Sequence, residues 1–301
     1  MDYRRLPLKG LCNARDLGGY PAQGGITKFH EFIRSEAPDK VTDKDIEFLK
    51  GYGVTVAIEF RGEQEIARQP NKLSDVQGIE FNLSQTFDSQ VAFASNASGK
   101  EEAGQAGEQS NAGQGEQAGE QSNAGQGEKE KDGKGGKDGK DGKDEKRPAM
   151  DAFVDWGEKY IEISQNCGAW VRNTLELMAG AKGAVIYNCA TGKDRTGIIS
   201  ALLLGIAGVS ERDIIADYSV SEIYLKEAYV ELLKGYLAKW PDDKATIESP
   251  FFKTSPKNME TLLAHFDSAH GGVAGYVKSC GVSDDTVAAL RRKLVEPIPK
   301  I

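Results

Sequence analysis

The sequence predicts an α/β protein. Three observations carry that prediction. Two short, β-rich apolar runs, residues 54–60 and 184–188, read as buried strands. Apolar residues at helical spacing fill much of the remainder, and one run, 196–209, is apolar on nearly every side. Strand and helix patterns alternate along the chain, and the C-terminal part reads as helical throughout.

The elements follow in order. Arg15-Asp16-Leu17-Gly18-Gly19-Tyr20-Pro21 reads as a glycine-rich turn. A helix is expected over 41–53, with Thr42 as N-cap, Asp43 and Asp45 in the first turn, and Ile46, Leu49 and Tyr52 on one face. The strand 54–60 comes next, and 79–83 is a second short strand candidate. Phe153, Trp156, Tyr160, Ile163, Trp170, Leu175 and Met178 have helical spacing over 150–179, as one long or two shorter helices. They either pack in the core or form a lid over a site. The strand 184–188 precedes the apolar helix 196–209. Further helices are expected at 210–240, 256–270, 272–281 and 283–296.

One stretch contributes nothing to a core. Residues 97–147 contain no aromatic residue and no Val, Ile, Leu or Met. Residues 106–117 repeat almost unchanged as 118–129, and Lys-Asp-Gly steps follow. Without apolar side chains nothing offsets the entropy of ordering, so disorder is expected. The 301 residues then form a single domain interrupted by a low-complexity insert over 97–148.

A formal net charge of −8 gives no diffuse attraction to nucleic acid or to an anionic membrane, so an anionic substrate needs a local site. Cys12, Cys167, Cys189 and Cys280 are widely spaced, with no C-x-x-C pair, so neither a metal site nor a disulfide scaffold is expected. Cys12, Cys167 and Cys280 read as small core residues, and His30, His265 and His270 as surface residues. No apolar run reaches 18 residues and no leader pattern opens the chain. A cytoplasmic protein is expected, with non-classical secretion left open.

The chemistry concentrates in Asn188-Cys189-Ala190-Thr191-Gly192-Lys193-Asp194-Arg195-Thr196-Gly197, between a predicted strand and the apolar helix. A loop entering a helix N-terminus presents successive backbone N–H groups and the positive end of the helix dipole, which together make an anion site. Amides from Ala190, Thr191, Gly192, Lys193, Asp194 and Arg195 would hold phosphate oxygens, and Gly192 gives the loop its freedom. Arg195 supplies a planar, permanently charged fork for two oxygens. The field that holds phosphate also favours a thiolate at Cys189, the candidate nucleophile. Asp194 is the nearest acid for the leaving group. Thr196 is placed to donate to the Cys189 sulfur, and Lys193 is expected as a second cation at the loop rim. A Walker loop is excluded, because Lys193 is followed by Asp194 rather than Ser or Thr.

These residues resemble the signature His-Cys-x-x-Gly-Lys-Asp-Arg-Thr-Gly of a bacterial tyrosine phosphatase family with mycobacterial and listerial members. Other segments are similar in the same order: Asn13-Ala14-Arg15-Asp16-Leu17-Gly18-Gly19, Ile33-Arg34-Ser35, Glu59-Phe60-Arg61 with Glu65, Ala216-Asp217-Tyr218, and the C-terminal stretch 271–294. The resemblance implies a cysteine-phosphatase fold with a mainly parallel sheet flanked by helices. It implies hydrolysis of phosphotyrosine, with dual specificity toward phosphoserine or phosphothreonine, or of phosphoinositides; the loop chemistry itself points to a cysteinyl-phosphate, with no metal or cofactor expected. Cys189, Arg195, Asp194 and Lys193 take the positions of nucleophile, clamp, acid and substrate contact. Asn188 stands where the family has His, which predicts a weaker, less thiolate-favouring site, and Glu59 stands for Asp.

Four supporting residues complete the set. Arg15 and Asp16 are expected to brace the loop from the N-terminal turn, and Glu59 and Arg61 to form an ion pair at a strand end. Asp88 is a second candidate acid. The expected partner is a phosphotyrosine protein or a phosphoinositide. The rival class is a catalytically weak, phospho-ligand-binding pseudophosphatase.

Overall fold

The computed structural model describes residues 4–86, 150 and 154–298. The expected insert at 97–148, Asp88 and Phe153 lie outside the described residues.

The core of the molecule is a five-stranded sheet. Its strands are β1 (Arg15–Asp16), β4 (Phe32–Ser35), β5 (Val54–Glu59), β6 (Glu80–Leu83) and β7 (Ala184–Asn188), in the order β1-β4-β7-β5-β6. The pairs β4–β7, β7–β5 and β5–β6 are parallel, and only β1 runs antiparallel to its neighbour. The central strand β7 is buried over all five residues, Ala-Val-Ile-Tyr-Asn, which explains why it reads as an unbroken apolar run. A smaller antiparallel sheet joins β2 (Pro21–Ala22), β3 (Gly25–Thr27) and β8 (Val295–Pro297), so an N-terminal segment pairs with one far along the chain.

Helices cover the main sheet. On one side α1 (Asp43–Gly51) packs Leu49 with Leu6, Leu8, Ile33, Ala57 and Ile186. Its start is fixed by a capping box: Thr42 accepts from the Asp45 N–H, and the Asp45 carboxylate accepts from the Thr42 N–H. A short helix, α2 (Glu63–Arg68), follows β5. On the other side lie α3 (Trp156–Asn166), α4 (Gly168–Gly180), α5 (Arg195–Ala207), α6 (Glu211–Lys239), α7 (Pro256–His270), α8 (Val273–Ser279) and α9 (Asp284–Leu294). Twelve of the thirteen residues of α5 are buried, so this is the helix around which the others pack.

The structure decides between some expectations and corrects others. Of the two alternatives for 150–179, the described residues form two helices, Trp156–Asn166 and Gly168–Gly180, broken at Cys167, whose backbone leaves the helical region. Tyr160, Ile163, Trp170, Leu175 and Met178 belong to the main core, so the described part of this stretch is core rather than lid. The N-terminal turn contains β1, because Arg15 and Asp16 pair with Arg34 and Ile33. The last helix stops at Leu294, where Val295 turns extended and joins β3. Cys12 and Cys280 are only half-buried, whereas Cys167 is buried. No helix among the described residues is long and apolar enough to cross a membrane.

Candidate active site

The three parallel strands β4, β7 and β5 end in one row: Ser35 pairs with Asn188, and Asn188 with Glu59. The loop from Asn188 to Arg195 rises from the carboxyl end of the central strand, where open α/β sheets place their ligands. Cys189 is 2% exposed at its base, while Ala190 is exposed and Thr191 half-buried, so the loop opens outward there.

The loop is held by its carbonyl groups. The Ala190 oxygen accepts from the Ala37 N–H at 3.1 Å. The Thr191 oxygen accepts from Asn13 Nδ2 at 3.0 Å, and the Gly192 oxygen from Arg34 Nη2 at 2.7 Å. Every peptide here is trans, so each carbonyl turned to the scaffold sends the next N–H to the opposite face. The N–H groups of Thr191, Gly192 and Lys193 therefore share the inner face. Gly192 makes this path possible: its φ is +70°, and a Cβ would lie 2.4 Å from the Ser35 carbonyl oxygen.

Two of the three donors that grip the loop, Arg34 directly and Asn13 through Arg15, are fixed by one carboxylate. Asp217 of α6 accepts from Arg15 Nε at 3.0 Å, from Arg34 Nη1 at 2.5 Å and from the Tyr20 hydroxyl at 3.1 Å. Burial alone would raise the Asp217 pKa, but the Arg15 and Arg34 charges outweigh it and hold the carboxyl at about 2. Arg15 Nη1 also donates to Asn13 Oδ1 at 2.7 Å, which turns Asn13 Nδ2 toward the loop. Arg15 thus reaches the loop through Asn13 and Asp217. Asp16 does not touch it. Its carboxylate accepts from the N–H groups of Gly18 and His30 and from the Tyr52 hydroxyl, and so ties the N-terminal turn to α1.

Arg195 opens α5. Its guanidinium donates to both carboxylate oxygens of Glu65 in α2, at 2.9 and 2.8 Å, and to the Phe60 carbonyl at 3.2 Å. Burial raises the Glu65 pKa, but the bonds and charge of Arg195 overcome this and keep it lowered. Glu59 and Arg61 form a buried ion pair at 2.8 Å. Asn71 links that pair to Asn188, donating to Glu59 Oε2 at 3.0 Å and to Asn188 Oδ1 at 3.4 Å.

Asp194 occupies the N-cap position of α5 yet makes no side-chain cap bond. Its carboxylate turns instead to the Tyr160 hydroxyl, which donates to Oδ1 at 2.5 Å. The first-turn amides of α5 are thus not capped by the residue type that most often caps them. The Thr196 hydroxyl, expected on the Cys189 sulfur, is buried without a hydrogen-bond partner among the described residues. Its helix does supply a bond, but from the carbonyl, which accepts from the Ser200 hydroxyl.

Lys193 is not at the rim. It is 2% exposed, with its ammonium on the Phe251 carbonyl at 2.5 Å and the Lys253 carbonyl at 3.3 Å. The rings of Trp156, Phe251 and Tyr229 stand 5.1, 5.5 and 5.9 Å away. Burial lowers its pKa against the opposing charges of Asp194, Cys189 and Glu222. The reason lies in α6: Glu222 accepts from the Thr254 N–H and the Lys253 ammonium, and so pins segment 250–254 where its carbonyls meet Lys193.

Sequence reasoning gave no role at the loop to Arg34, Asp217, Asn13, Asn71, Tyr229 or Phe251, and read Trp156 and Tyr160 only as core or lid residues. Asn13, Arg34 and Asp217 stood in segments with a family resemblance. Nothing local marks the others, because each reaches the loop only through tertiary packing.

A model of the tyrosine phosphatase family matches residues 6–296. Among curated relatives, a tyrosine-protein phosphatase of Nostoc commune is 32% identical over 151 residues, 48% of this chain and 51% of that protein. The triple specificity protein phosphatase PtpB of Mycobacterium tuberculosis is 23% identical over 134 residues, 42% of this chain and 48% of that protein. The chain thus spans about half the length of these two relatives.

Proposed function

The chain belongs to the tyrosine phosphatase family, and on that premise we propose that it hydrolyses phosphotyrosine in proteins through a covalent cysteinyl-phosphate. The observation that carries this reading is the outward grip on the carbonyls of Ala190, Thr191 and Gly192, which gathers the amides above Cys189. That geometry fits a phosphoryl group whose oxygens take the amides and the Arg195 fork.

In the first step the Cys189 thiolate attacks phosphorus. The S–P bond forms as the P–O bond breaks, and the Asp194 carboxylic acid gives its proton to the departing phenoxide. In the second step water attacks phosphorus, Asp194 takes a proton from it, and the S–P bond breaks. Inorganic phosphate and the thiolate are released. Asn188, Glu59, Arg61 and Arg15 support the loop from below and behind. Charge growing on the equatorial oxygens meets donors already in place, so no reorganisation is needed at the moment of reaction.

We read residues 1–301 as one domain, because β3 near the start pairs with β8 near the end. The phosphoinositide alternative, which the resemblance implies, was favoured by Lys193 as a second cation at the loop rim, and the enclosure of Lys193 takes away that part of its support. The pseudophosphatase reading has no support in the loop, which combines Cys189, Arg195 and an inward row of amides. The test is a panel of phosphotyrosine and phosphoserine peptides and phosphatidylinositol phosphates, with wild type, Cys189→Ser and Asp194→Ala. Turnover led by phosphotyrosine, and lost in Cys189→Ser, is expected. Full activity in Cys189→Ser would end this mechanism.

A further inference from the structure

Resting on the reading of Asp194 as the acid, we propose that Tyr160 is its positioning residue, and that the chain Asn258–Tyr218–Tyr160 fixes which Asp194 oxygen delivers the proton. Four side chains from four elements form a single line. Asn258 Nδ2 of α7 lies 3.1 Å from the Tyr218 hydroxyl of α6. That hydroxyl lies 2.7 Å from the Tyr160 hydroxyl of α3. Tyr160 in turn lies 2.5 Å from Asp194 Oδ1. Tyr160 and Tyr218 are buried, and their rings meet edge to face at 5.9 Å.

The direction of the line follows from proton counting. An amide nitrogen only donates, so the Tyr218 oxygen accepts from Asn258. The single Tyr218 proton then points to the Tyr160 oxygen. The single Tyr160 proton points to Asp194 Oδ1. Burial and the neighbouring Asp194 charge raise the Tyr160 pKa well above its ordinary value, so the hydroxyl keeps its proton at neutral pH. Because the line starts at an amide, which does not release its proton, it orients the carboxyl group and does not conduct protons. Oδ1 stays an acceptor in both protonation states of Asp194. The proton given to the leaving group is therefore confined to Oδ2.

The arrangement also explains the missing cap. An N-cap aspartate ordinarily turns onto its own helix, and Asp194 makes no such bond. A Tyr160 hydroxyl at 2.5 Å is the competing donor that draws it away, which leaves the first turn of α5 to the phosphate.

The experiment measures kcat/KM of the full chain on two aryl phosphates: phenyl phosphate, whose leaving group needs a proton, and dinitrophenyl phosphate, whose leaving group does not. The variants are Tyr160→Phe, Tyr218→Phe, Asp194→Asn and the double variant Tyr160→Phe/Asp194→Asn. Tyr160→Phe keeps the ring and removes one hydroxyl. It is expected to lose about tenfold on phenyl phosphate, a fraction of what the acid supplies, and nothing on dinitrophenyl phosphate. Tyr218→Phe should show a smaller loss with the same leaving-group dependence, a reading that survives should Tyr160→Phe fold poorly. Added to Asp194→Asn, Tyr160→Phe should cost nothing further. An equal loss on both substrates, or a further loss in the double variant, would mean a merely structural role and overturn the proposal. If Asp194→Asn shows the leaving-group dependence and both tyrosine variants do not, the proposal alone fails. If Asp194→Asn shows none, the acid assignment fails and takes the proposal with it.

Discussion

Glu65 grips Arg195 with both carboxylate oxygens, at 2.8 and 2.9 Å, and so fixes the plane of the guanidinium at the mouth of the loop. The pair connects α2, which follows the strand next to the centre, with the first residue of the buried helix. For the phosphate clamp proposed at Arg195, a flexible side chain would lose affinity to rotamer entropy, and the Glu65 contact would remove that cost before substrate arrives.

Replacing Glu65 with Ala is expected to lower kcat/KM on a phosphotyrosine peptide by about 10- to 100-fold, because the fork is no longer pre-set. Inhibition by inorganic phosphate should weaken in parallel. Steady-state kinetics check this, and unchanged phosphate inhibition would remove Glu65 from the account.

Asp217 links loop geometry to pH. Its carboxyl is held at about 2, below its ordinary 3.8. A depressed carboxyl stabilises the folded state fully above the unfolded pKa, and that stability is lost as the pH falls through about 2. The shift corresponds to about 2 kcal/mol. Asp217→Asn leaves Arg15 and Arg34 buried together without their carboxylate, so a loss of roughly 3–5 kcal/mol at neutral pH is expected. Urea unfolding at pH 7 and at pH 3 should show the gap between wild type and variant closing toward low pH.

Gly192→Ala meets two obstacles at once: a φ of +70° and a carbonyl oxygen 2.4 Å from the new Cβ. Backbone strain of this kind costs about 1–3 kcal/mol. The loop should shift to relieve the clash, so activity is expected to fall further than melting temperature. Calorimetry beside kinetics separates the two, and a variant with normal kcat/KM would show that the loop path is not needed.

Lys193→Met tests the corrected role of that residue. With the ammonium enclosed by two carbonyls and three rings, it stabilises the wall beside the loop. Stability is expected to change by about 1–3 kcal/mol, because two carbonyls lose a charged donor. The ratio of rates on phosphotyrosine and phosphatidylinositol phosphate should stay within about twofold if the enclosed ammonium keeps these carbonyls as its partners when substrate binds. A selective loss on the lipid would return Lys193 to the substrate.

What the sequence showed was local. A central strand buried on both faces and a helix buried all round declare themselves by unbroken apolar runs, so 184–188 and 196–209 were legible almost to the residue. The Cys189 to Arg195 loop was legible because its chemistry lies within seven consecutive positions. Strands of two to four residues, such as β1 and β8, have no periodicity to read and exist only because a neighbour pairs with them. The direction of a long side chain was equally hidden. Lys193 reads as a rim cation until α6 and segment 250–254 bring carbonyls to it. Tyr160 is 34 residues from Asp194 in sequence, and only the packing of α3 against α6 and α7 brings the two together.

The central claim is a covalent phosphate on Cys189. The full chain is mixed with a phosphotyrosine peptide, quenched in acid within one turnover, digested and analysed by mass spectrometry. A single phosphoryl group on the peptide containing Cys189, absent in Cys189→Ser together with turnover, is the predicted result. Turnover by the wild type with no phosphoryl group on Cys189, and undiminished turnover in Cys189→Ser, would contradict it.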